Sequence, residues 1–151
     1  MSSEVSNAAL IRRPAFRVCG IFRRTSNSQA EEIGDFWRRY FQGNVKDQIP
    51  HRLNDAIFAV YCDYESDHSG EYTLVLGHEV SADSESPGGM VVKTIPDATY
   101  RIIDACGEQP GAVVAAWQQV WASGVARAYT ADFDQYLSAD WVRVHVAVHP
   151  A

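Results

Sequence analysis

AEEIGDFWRRYFQ, residues 30–42, and PGAVVAAWQQVWA, residues 110–122, are two stretches of similar design, and together they decide the fold. In each, apolar side chains recur at the three- and four-residue spacings that place them on one face of a helix. The first face has Ile33, Phe36, Trp37, Tyr40 and Phe41, and the second has Val113, Val114, Trp117, Val120 and Trp121. Both faces carry more aromatic bulk than one buried stripe usually needs. We therefore predict two helices that flank a pocket.

Segments with the alternation and residue types of β-strands surround the first helix. They lie at residues 15–25, 55–65 and 71–80. Ser28 and Glu31 have the spacing of a capping box at the helix start, and Gly43 with Asn44 supplies the stop. Residues 15–80 are therefore predicted to form a β–α–β–β unit.

The second half of the chain, residues 90–150, repeats this order after a polar connection at residues 81–89. Its strand-like segments lie at residues 90–96, 99–107, 127–137 and 140–150. The helix between them begins near Pro110, a residue favoured in a first turn. Three residue pairs match between the halves: Arg17 with Arg101 and Trp37 with Trp121 at an offset of 84, and Val80 with Val148 at an offset of 68. Identity is low, so a duplicated unit and a chance similarity of two such units both remain open.

The two units together predict an α+β fold with pseudo-twofold symmetry. A β–α–β–β unit cannot easily cover its own sheet, whereas two units side by side form one longer antiparallel sheet. Both main helices then lie on the same face, with a central cleft between them. Residues 15–151 are expected to form this domain, and residues 1–14 a flexible lead-in, since they lack the basic start and apolar core of a signal peptide.

The composition narrows the classes of partner. The net charge is −6, with 13 Lys and Arg against 19 Asp and Glu, which argues against direct binding of nucleic acid. No apolar run approaches the roughly 20 residues of a membrane span, and we expect a cytoplasmic protein without membrane contact. Cys19, Cys62 and Cys106 lack metal-ligand spacing and are predicted to be buried reduced thiols. The histidines also lack such spacing, and we predict no metal and no cofactor.

Aromatic side chains near the cleft are the main candidates for a binding site. On the helices these are Trp37, Tyr40, Phe41, Trp117 and Trp121, and on the strands Tyr61, Phe133 and Tyr136. Core packing is the alternative for each one.

Two acids are candidates to accompany these rings. In the strand segment FDQY, Asp134 and Tyr136 lie on one face, and Phe133 lies on the other. If the Asp134 face looks into the cleft, a cationic ligand would offset the cost of burying the carboxylate. An edge-strand position in solvent is the alternative for Asp134. Glu79, near the end of the strand at residues 71–80, is the second candidate, with a solvent-facing position as its alternative.

Four segments resemble a known family, the small-molecule effector-binding domain shared by the gyrase inhibitory protein and the C-terminal parts of the Rob and BmrR regulators. They are RVCGIFRRTS…IGDFWRRYF, YTLVLGHEV, IPDATYRIIDACG and FDQYLSADWVRVHVAV, within about residues 15–149. The resemblance implies a pseudo-twofold α+β domain whose cleft takes lipophilic, often cationic compounds through stacked aromatics and a buried glutamate. The family commonly has Glu in an FExY pattern where this chain has Asp134. The GxE pattern is kept at residues 77–79.

This resemblance implies a binding module for lipophilic, cationic organic compounds. The family's regulators attach the domain to a helix-turn-helix, for which there is no space before residue 15, so we expect a stand-alone form. One alternative is a hydrolase of reactive small molecules that uses Asp134 or Glu79 together with Tyr136. Another is a protein-directed inhibitor or accessory module whose partner is a transcription factor or gyrase.

Overall fold

The computed structural model describes residues 10–67, 69–82 and 84–149, and every helix and strand below lies within them. The strands are β1 (Leu10–Arg13), β2 (Phe16–Ser26), β3 (Ile57–Cys62), β4 (Glu71–Val80), β5 (Val91–Ile95), β6 (Ala98–Cys106), β7 (Ala131–Ser138) and β8 (Trp141–Val148). The helices are α1 (Ala30–Gln42), α2 (Val45–Gln48) and α3 (Gly111–Ser123). The predicted α+β fold with two main helices is confirmed, whereas the short α2 was not predicted.

Helix α1 covers the predicted residues but begins differently from the prediction. Its N-cap is Gln29, which makes no side-chain cap hydrogen bond, so the predicted capping box is wrong. The Ser28 hydroxyl contacts that of Ser26 at 2.8 Å instead. Glu32, rather than Glu31, is held at the helix start, by an ion pair with Arg23 at 2.9 Å and a hydrogen bond from Thr25 at 3.0 Å. The start of α1 is thus tied to β2 by side chains.

All eight strands pair antiparallel in one sheet, in the order β1-β6-β8-β7-β3-β4-β2-β5. The order is symmetric about the central pair β7–β3, to which each half of the chain contributes one strand. The repeated unit has a short leading strand, which was predicted in the second half of the chain (β5) but not in the first (β1). Each leading strand pairs with the other half, β1 with β6 and β5 with β2. Residues 10–13 are therefore a strand of the sheet rather than a flexible lead-in, and residues 1–9 lie outside the described part.

The strand register corrects the predicted alignment of the two halves. Arg17 of β2 pairs with Val80, and Arg101 of β6 pairs with Val146. If Arg17 corresponds to Arg101, as the sequence suggests, the counterpart of Val80 is Val146 and not Val148.

The core is divided between the two faces of the sheet because side chains alternate along each strand. One face buries a hydrophobic cluster built around Phe16, Phe58 and Phe133, to which neither main helix contributes a buried residue. The other face packs against both helices. There α1 contributes Phe36 and Tyr40, and α3 contributes Val113, Ala116, Trp117 and Val120. Since α1 and α3 pack over different parts of this face, a space is left between them.

Candidate ligand-binding site

A cavity of about 470 Å³ lies between α1 and α3. Its walls are the facing sides of the two helices, and its floor is the centre of the sheet. The helix residues that line it are Ala30, Ile33, Gly34 and Trp37 from α1, and Val113, Val114, Trp117 and Trp121 from α3, with Pro110 before α3. The other lining residues are Asn27, Tyr61, Tyr64, Tyr72, Arg127, Asp134 and Tyr136. This volume lies within the range typical of sites for small organic molecules.

The two helices use equivalent positions to line the cavity. Ile33, Gly34 and Trp37 recur in α3 as Val113, Val114 and Trp117, at the same spacing. By this criterion the counterpart of Trp37 is Trp117, not Trp121 as the sequence alignment predicts.

The aromatic rings of the cavity are packed edge to face. Trp37 contacts Tyr136 with ring centroids 5.1 Å apart, and Tyr61 contacts Trp117 at 5.5 Å and Tyr72 at 5.6 Å. This arrangement is the favoured one for aromatic pairs, because the positive edge of one ring meets the negative face of the next. The rings are therefore held in place by one another before a ligand enters.

Asp134 lies on β7 at the floor of the cavity and is 1% exposed. Its two carboxylate oxygens accept hydrogen bonds from the Tyr61 hydroxyl at 2.7 Å and from the Trp117 indole N–H at 2.9 Å. Burial raises the pKa of the Asp134 carboxyl to about 7, although the two hydrogen bonds act in the opposite direction. Burial also raises the pKa of Tyr61, so its hydroxyl stays protonated and donates. The site thus holds an acid that titrates near neutral pH.

A second acid, Asp132, lies on the same face of β7 and forms a buried ion pair with Arg127. The Arg127 Nη2 atom is 2.7 Å from Asp132 Oδ2, and the side chains are 5% and 0% exposed. The Tyr64 hydroxyl donates to the same oxygen, and the backbone N–H of Ala147 donates to Oδ1 at 2.7 Å. Asp132 is therefore balanced by a cation as well as by hydrogen bonds, whereas the described side chains give Asp134 hydrogen bonds alone.

Six residues predicted for the cleft line the cavity: Trp37, Tyr61, Trp117, Trp121, Asp134 and Tyr136. Glu79 does not. It is on the opposite face of the sheet, 3.0 Å from Arg13 in an ion pair and 3.4 Å from the Asn54 amide. Phe133 is also on that face, because it alternates with Asp134, and it stacks on His145 with ring centroids 4.0 Å apart. The prediction that Glu79 and Phe133 line the cleft is wrong.

Tyr40 and Phe41 also lie away from the cavity. Tyr40 is 3% exposed, and its hydroxyl is hydrogen-bonded to the imidazole of His78 beneath α1. Phe41 is 61% exposed and stacks on the outer side of Trp37 at 6.0 Å. One helix face was predicted to hold all of these rings, but α1 is shared between the core, the cavity and solvent.

Four residues that line the cavity were not predicted for it: Asn27, Tyr64, Tyr72 and Arg127. Asp132, which does not line the cavity but pairs with Arg127, was not predicted either. Asp132 could have been found, because residues two apart on a strand share a face and Asp134 was already a candidate. Tyr64 and Arg127 were included in the predicted strands at residues 55–65 and 127–137. In the structure Tyr64 follows the end of β3 and Arg127 precedes the start of β7, so strand alternation does not give the direction of their side chains.

The described residues hold few other features of chemical interest. Among them, no three His, Cys, Asp or Glu side chains come together as a metal ion would require. The same part of the chain contains no helix long and apolar enough to cross a membrane. Cys19 and Cys62 are buried as predicted, but Cys106 is exposed at the end of β6.

Two solved structures share this architecture over nearly the whole chain. The integron cassette protein VCH_CASS2 of Vibrio cholerae has a TM-score of 0.74 and 25% sequence identity, covering 95% of this chain and 97% of its own. The structure of SAV2435 bound to tetraphenylphosphonium has a TM-score of 0.73 and 18% identity, covering 95% and 94%. The fold is therefore that of the effector-binding domains which the sequence resembles.

Sequence comparison leads to the same family. The Bacillus subtilis protein YobU, described as a transcriptional regulator, is 25% identical over 128 residues, which is 80% of each chain. The sequence model of Cass2, described as an integron-associated effector binding protein, matches residues 9–146. The cavity between α1 and α3, the fold and this match agree: the chain belongs to the Cass2 family of effector-binding proteins.

Proposed function

We propose that the cavity binds lipophilic organic cations, with Asp134 as the counter-ion. The observation that carries this proposal is a carboxyl group that is 1% exposed, faces an aromatic cavity and forms no ion pair with any described side chain. Most of the residues that line the cavity are apolar or aromatic, which fits a ligand that is apolar over most of its surface.

The energetics favour a cation over a neutral ligand of the same shape. A buried carboxylate is expensive unless it is paired, and the protein supplies Asp134 with hydrogen bonds but no positive charge. A bound cation would provide that charge in a site from which water is largely excluded. The faces of the surrounding rings would add about 0.5–2 kcal/mol for each well-placed contact.

The relatives support this reading in two ways. SAV2435, which has the same fold, has been solved with tetraphenylphosphonium, a cation of this class. YobU is described as a transcriptional regulator, which supports a sensing role for such binding. For this chain, tetraphenylphosphonium is therefore a suitable first probe rather than a natural ligand.

The test compares tetraphenylphosphonium with tetraphenylborate, an anion of nearly the same size and shape. Three of the four tryptophans line the cavity, so binding can be followed by quenching of tryptophan fluorescence. We expect the cation to bind at least tenfold more tightly at pH 8, and saturation at 100 times Kd to add about 2.7 kcal/mol of stability against thermal unfolding. Equal binding of both ions would contradict the proposal.

Two carboxylate-to-amide variants provide the control. Asp134→Asn should reduce the preference for the cation at least tenfold, since it removes the charge in the cavity. Glu79→Gln makes the same chemical change on the opposite face of the sheet and should leave the Kd within twofold of the wild-type value. A cation preference that survives in Asp134→Asn would show that another group is the counter-ion.

A further inference from the structure

Arg127 lies in the wall of the cavity, but its charge is already balanced. Its side chain is 5% exposed, and Nη2 is bonded to Asp132 at 2.7 Å and to the Tyr64 hydroxyl at 3.4 Å. The other oxygen of Asp132 accepts the backbone N–H of Ala147 at 2.7 Å. The carboxylate meets only one nitrogen of the guanidinium, through Oδ2, instead of the two that a bidentate pair would use.

Part of the guanidinium is left without a partner. The Nε and Nη1 atoms of Arg127 are buried and have no hydrogen-bond partner among the described residues. A buried N–H of a charged group without an acceptor is costly, and such groups are uncommon in folded proteins. These donors therefore need an acceptor that the described side chains do not provide.

Aromatic rings hold the guanidinium but do not satisfy these donors. Its central carbon is 4.4 Å from the centroid of Tyr129, 5.5 Å from that of Trp117 and 5.8 Å from that of Tyr64. Rings contact the face of a guanidinium, whereas its N–H groups point outward in its plane. The rings thus fix the guanidinium in place and leave its Nε and Nη1 donors unpaired within the described part of the chain.

Trp117 connects this group to Asp134. Its indole N–H donates to Asp134 at 2.9 Å, and its ring is the one that Arg127 approaches to 5.5 Å. Asp134 and Arg127 therefore contact the same indole, and both line the cavity.

We infer that the cavity contains a second recognition site, formed by Nε and Nη1 of Arg127, for a neutral oxygen acceptor carried by the bound cation. The inference rests on the proposed function, because it assumes that the cation occupies the cavity. Asp132 already neutralises Arg127, so a carbonyl, amide or ester oxygen fits better than a carboxylate, which would add an unpaired charge beside Asp132. The ligand class is thus a lipophilic cation with a hydrogen-bond acceptor.

The test uses two phosphonium probes that differ by one atom, (4-acetylphenyl)triphenylphosphonium and (4-isopropenylphenyl)triphenylphosphonium. In an apolar pocket the carbonyl would be the worse ligand, because it loses its hydrogen bonds to water. With Arg127 as the donor, we expect the acetyl compound to bind about fivefold to tenfold more tightly to the wild-type protein. A preference below threefold would overturn the inference.

Two variants show whether Arg127 causes the preference. Arg127→Met combined with Asp132→Asn removes the donors and both charges, while the amide can still accept from Ala147. Arg127→Lys keeps the positive charge but removes the planar edge, and it decides the matter if the double variant does not fold. In both variants, the Kd of the isopropenyl compound divided by the Kd of the acetyl compound should fall to one or below. A retained preference for the acetyl compound would overturn the inference. The ratio is informative because general damage to the cavity weakens both probes alike.

The remaining outcomes separate this inference from the proposed function. If wild-type protein binds neither probe nor tetraphenylphosphonium, the proposed function fails and the inference fails with it. If all three bind but the acetyl group brings no gain, only the inference fails. A 4-carboxyphenyl analogue that binds more tightly than the acetyl compound would assign the site to an anion and overturn the choice of a neutral acceptor.

Discussion

At the scale of single residues, Asp134 couples binding to the proton concentration. Burial raises the pKa of its carboxyl to about 7, so the free protein is largely protonated at this position below that pH. Only the ionised form can act as a counter-ion. The carboxyl must therefore release a proton when a cation binds at mildly acidic pH.

We accordingly predict that tetraphenylphosphonium binds about thirtyfold more weakly at pH 5.5 than at pH 8.5, with little change above pH 8. Fluorescence titrations across this range would measure it. His78 and His145 should not contribute, because burial lowers the pKa of each to about 4. A pH-independent Kd would mean that Asp134 is ionised throughout or is not the counter-ion.

The same pKa sets the sign of the effect on stability. An unfolded aspartate titrates near pH 4, so between roughly pH 4 and pH 7 the folded protein binds the additional proton. The contribution of Asp134 to folding is therefore least favourable above pH 7, and it improves as the pH falls through 7.

Tyr61→Phe is a sharper test at this scale. The Tyr61 hydroxyl lowers the pKa of Asp134 by a hydrogen bond at 2.7 Å, so its removal should raise that pKa further. We predict that the pH midpoint for tetraphenylphosphonium binding moves upward. The affinity well above the midpoint should fall much less than the affinity near pH 7. Tyr40→Phe, which removes a hydroxyl bonded to His78 outside the cavity, is the matched control and should leave the midpoint unchanged. A midpoint that moves downward in Tyr61→Phe would contradict this account.

At the scale of elements, β2 and β4 approach unusually closely where two glycines face each other. Gly20 pairs with Gly77, and a Cβ atom on Gly77 would overlap the carbonyl oxygen of Cys19. Any larger residue would force the two strands apart.

We predict that Gly77→Ala lowers the free energy of unfolding by about 2 kcal/mol or more, as overpacked cores do. Gly111→Ala lies at the start of α3, where no atom of the described residues is within 4 Å of the added methyl group, and it should not lower the free energy of unfolding. Urea unfolding of both variants at one pH would measure the difference. Equal stability of Gly77→Ala and the wild type would show that the strands can separate at little cost.

The elements also show what the sequence could and could not predict. Periodicity located α1 and most strands, and it correctly separated the Asp134 and Phe133 faces of β7. It could not say which face of the sheet carries the helices, and so Glu79 was assigned to the wrong side. The pairing of β1 with β6 depends on contacts between distant parts of the chain, about which local patterns carry no information. Arg127 was missed because the predicted strand at residues 127–137 was too long: alternation along it would put Arg127 on the Phe133 face, whereas β7 begins only at Ala131.

At the scale of the whole molecule, the cavity belongs to both halves of the duplicated fold. One wall comes from α1 of the first half and the other from α3 of the second. The floor is the central pair of strands, in which Ala59 of β3 faces Asp134 of β7. A ligand that fills this space therefore contacts both units, which elsewhere are joined by strand pairing.

Binding should consequently protect both helices although they are distant in the chain. We predict that saturating tetraphenylphosphonium slows amide hydrogen exchange in Ala30–Gln42 and in Gly111–Ser123, because local opening of either helix would have to release the ligand. Mass spectrometry of peptides from each helix would measure this, with Asp134→Asn at the same ligand concentration as the control. Strand β5, at the edge of the sheet and away from the cavity, should show the smallest change. Protection confined to one helix would mean that the ligand binds to one half and does not bridge the two.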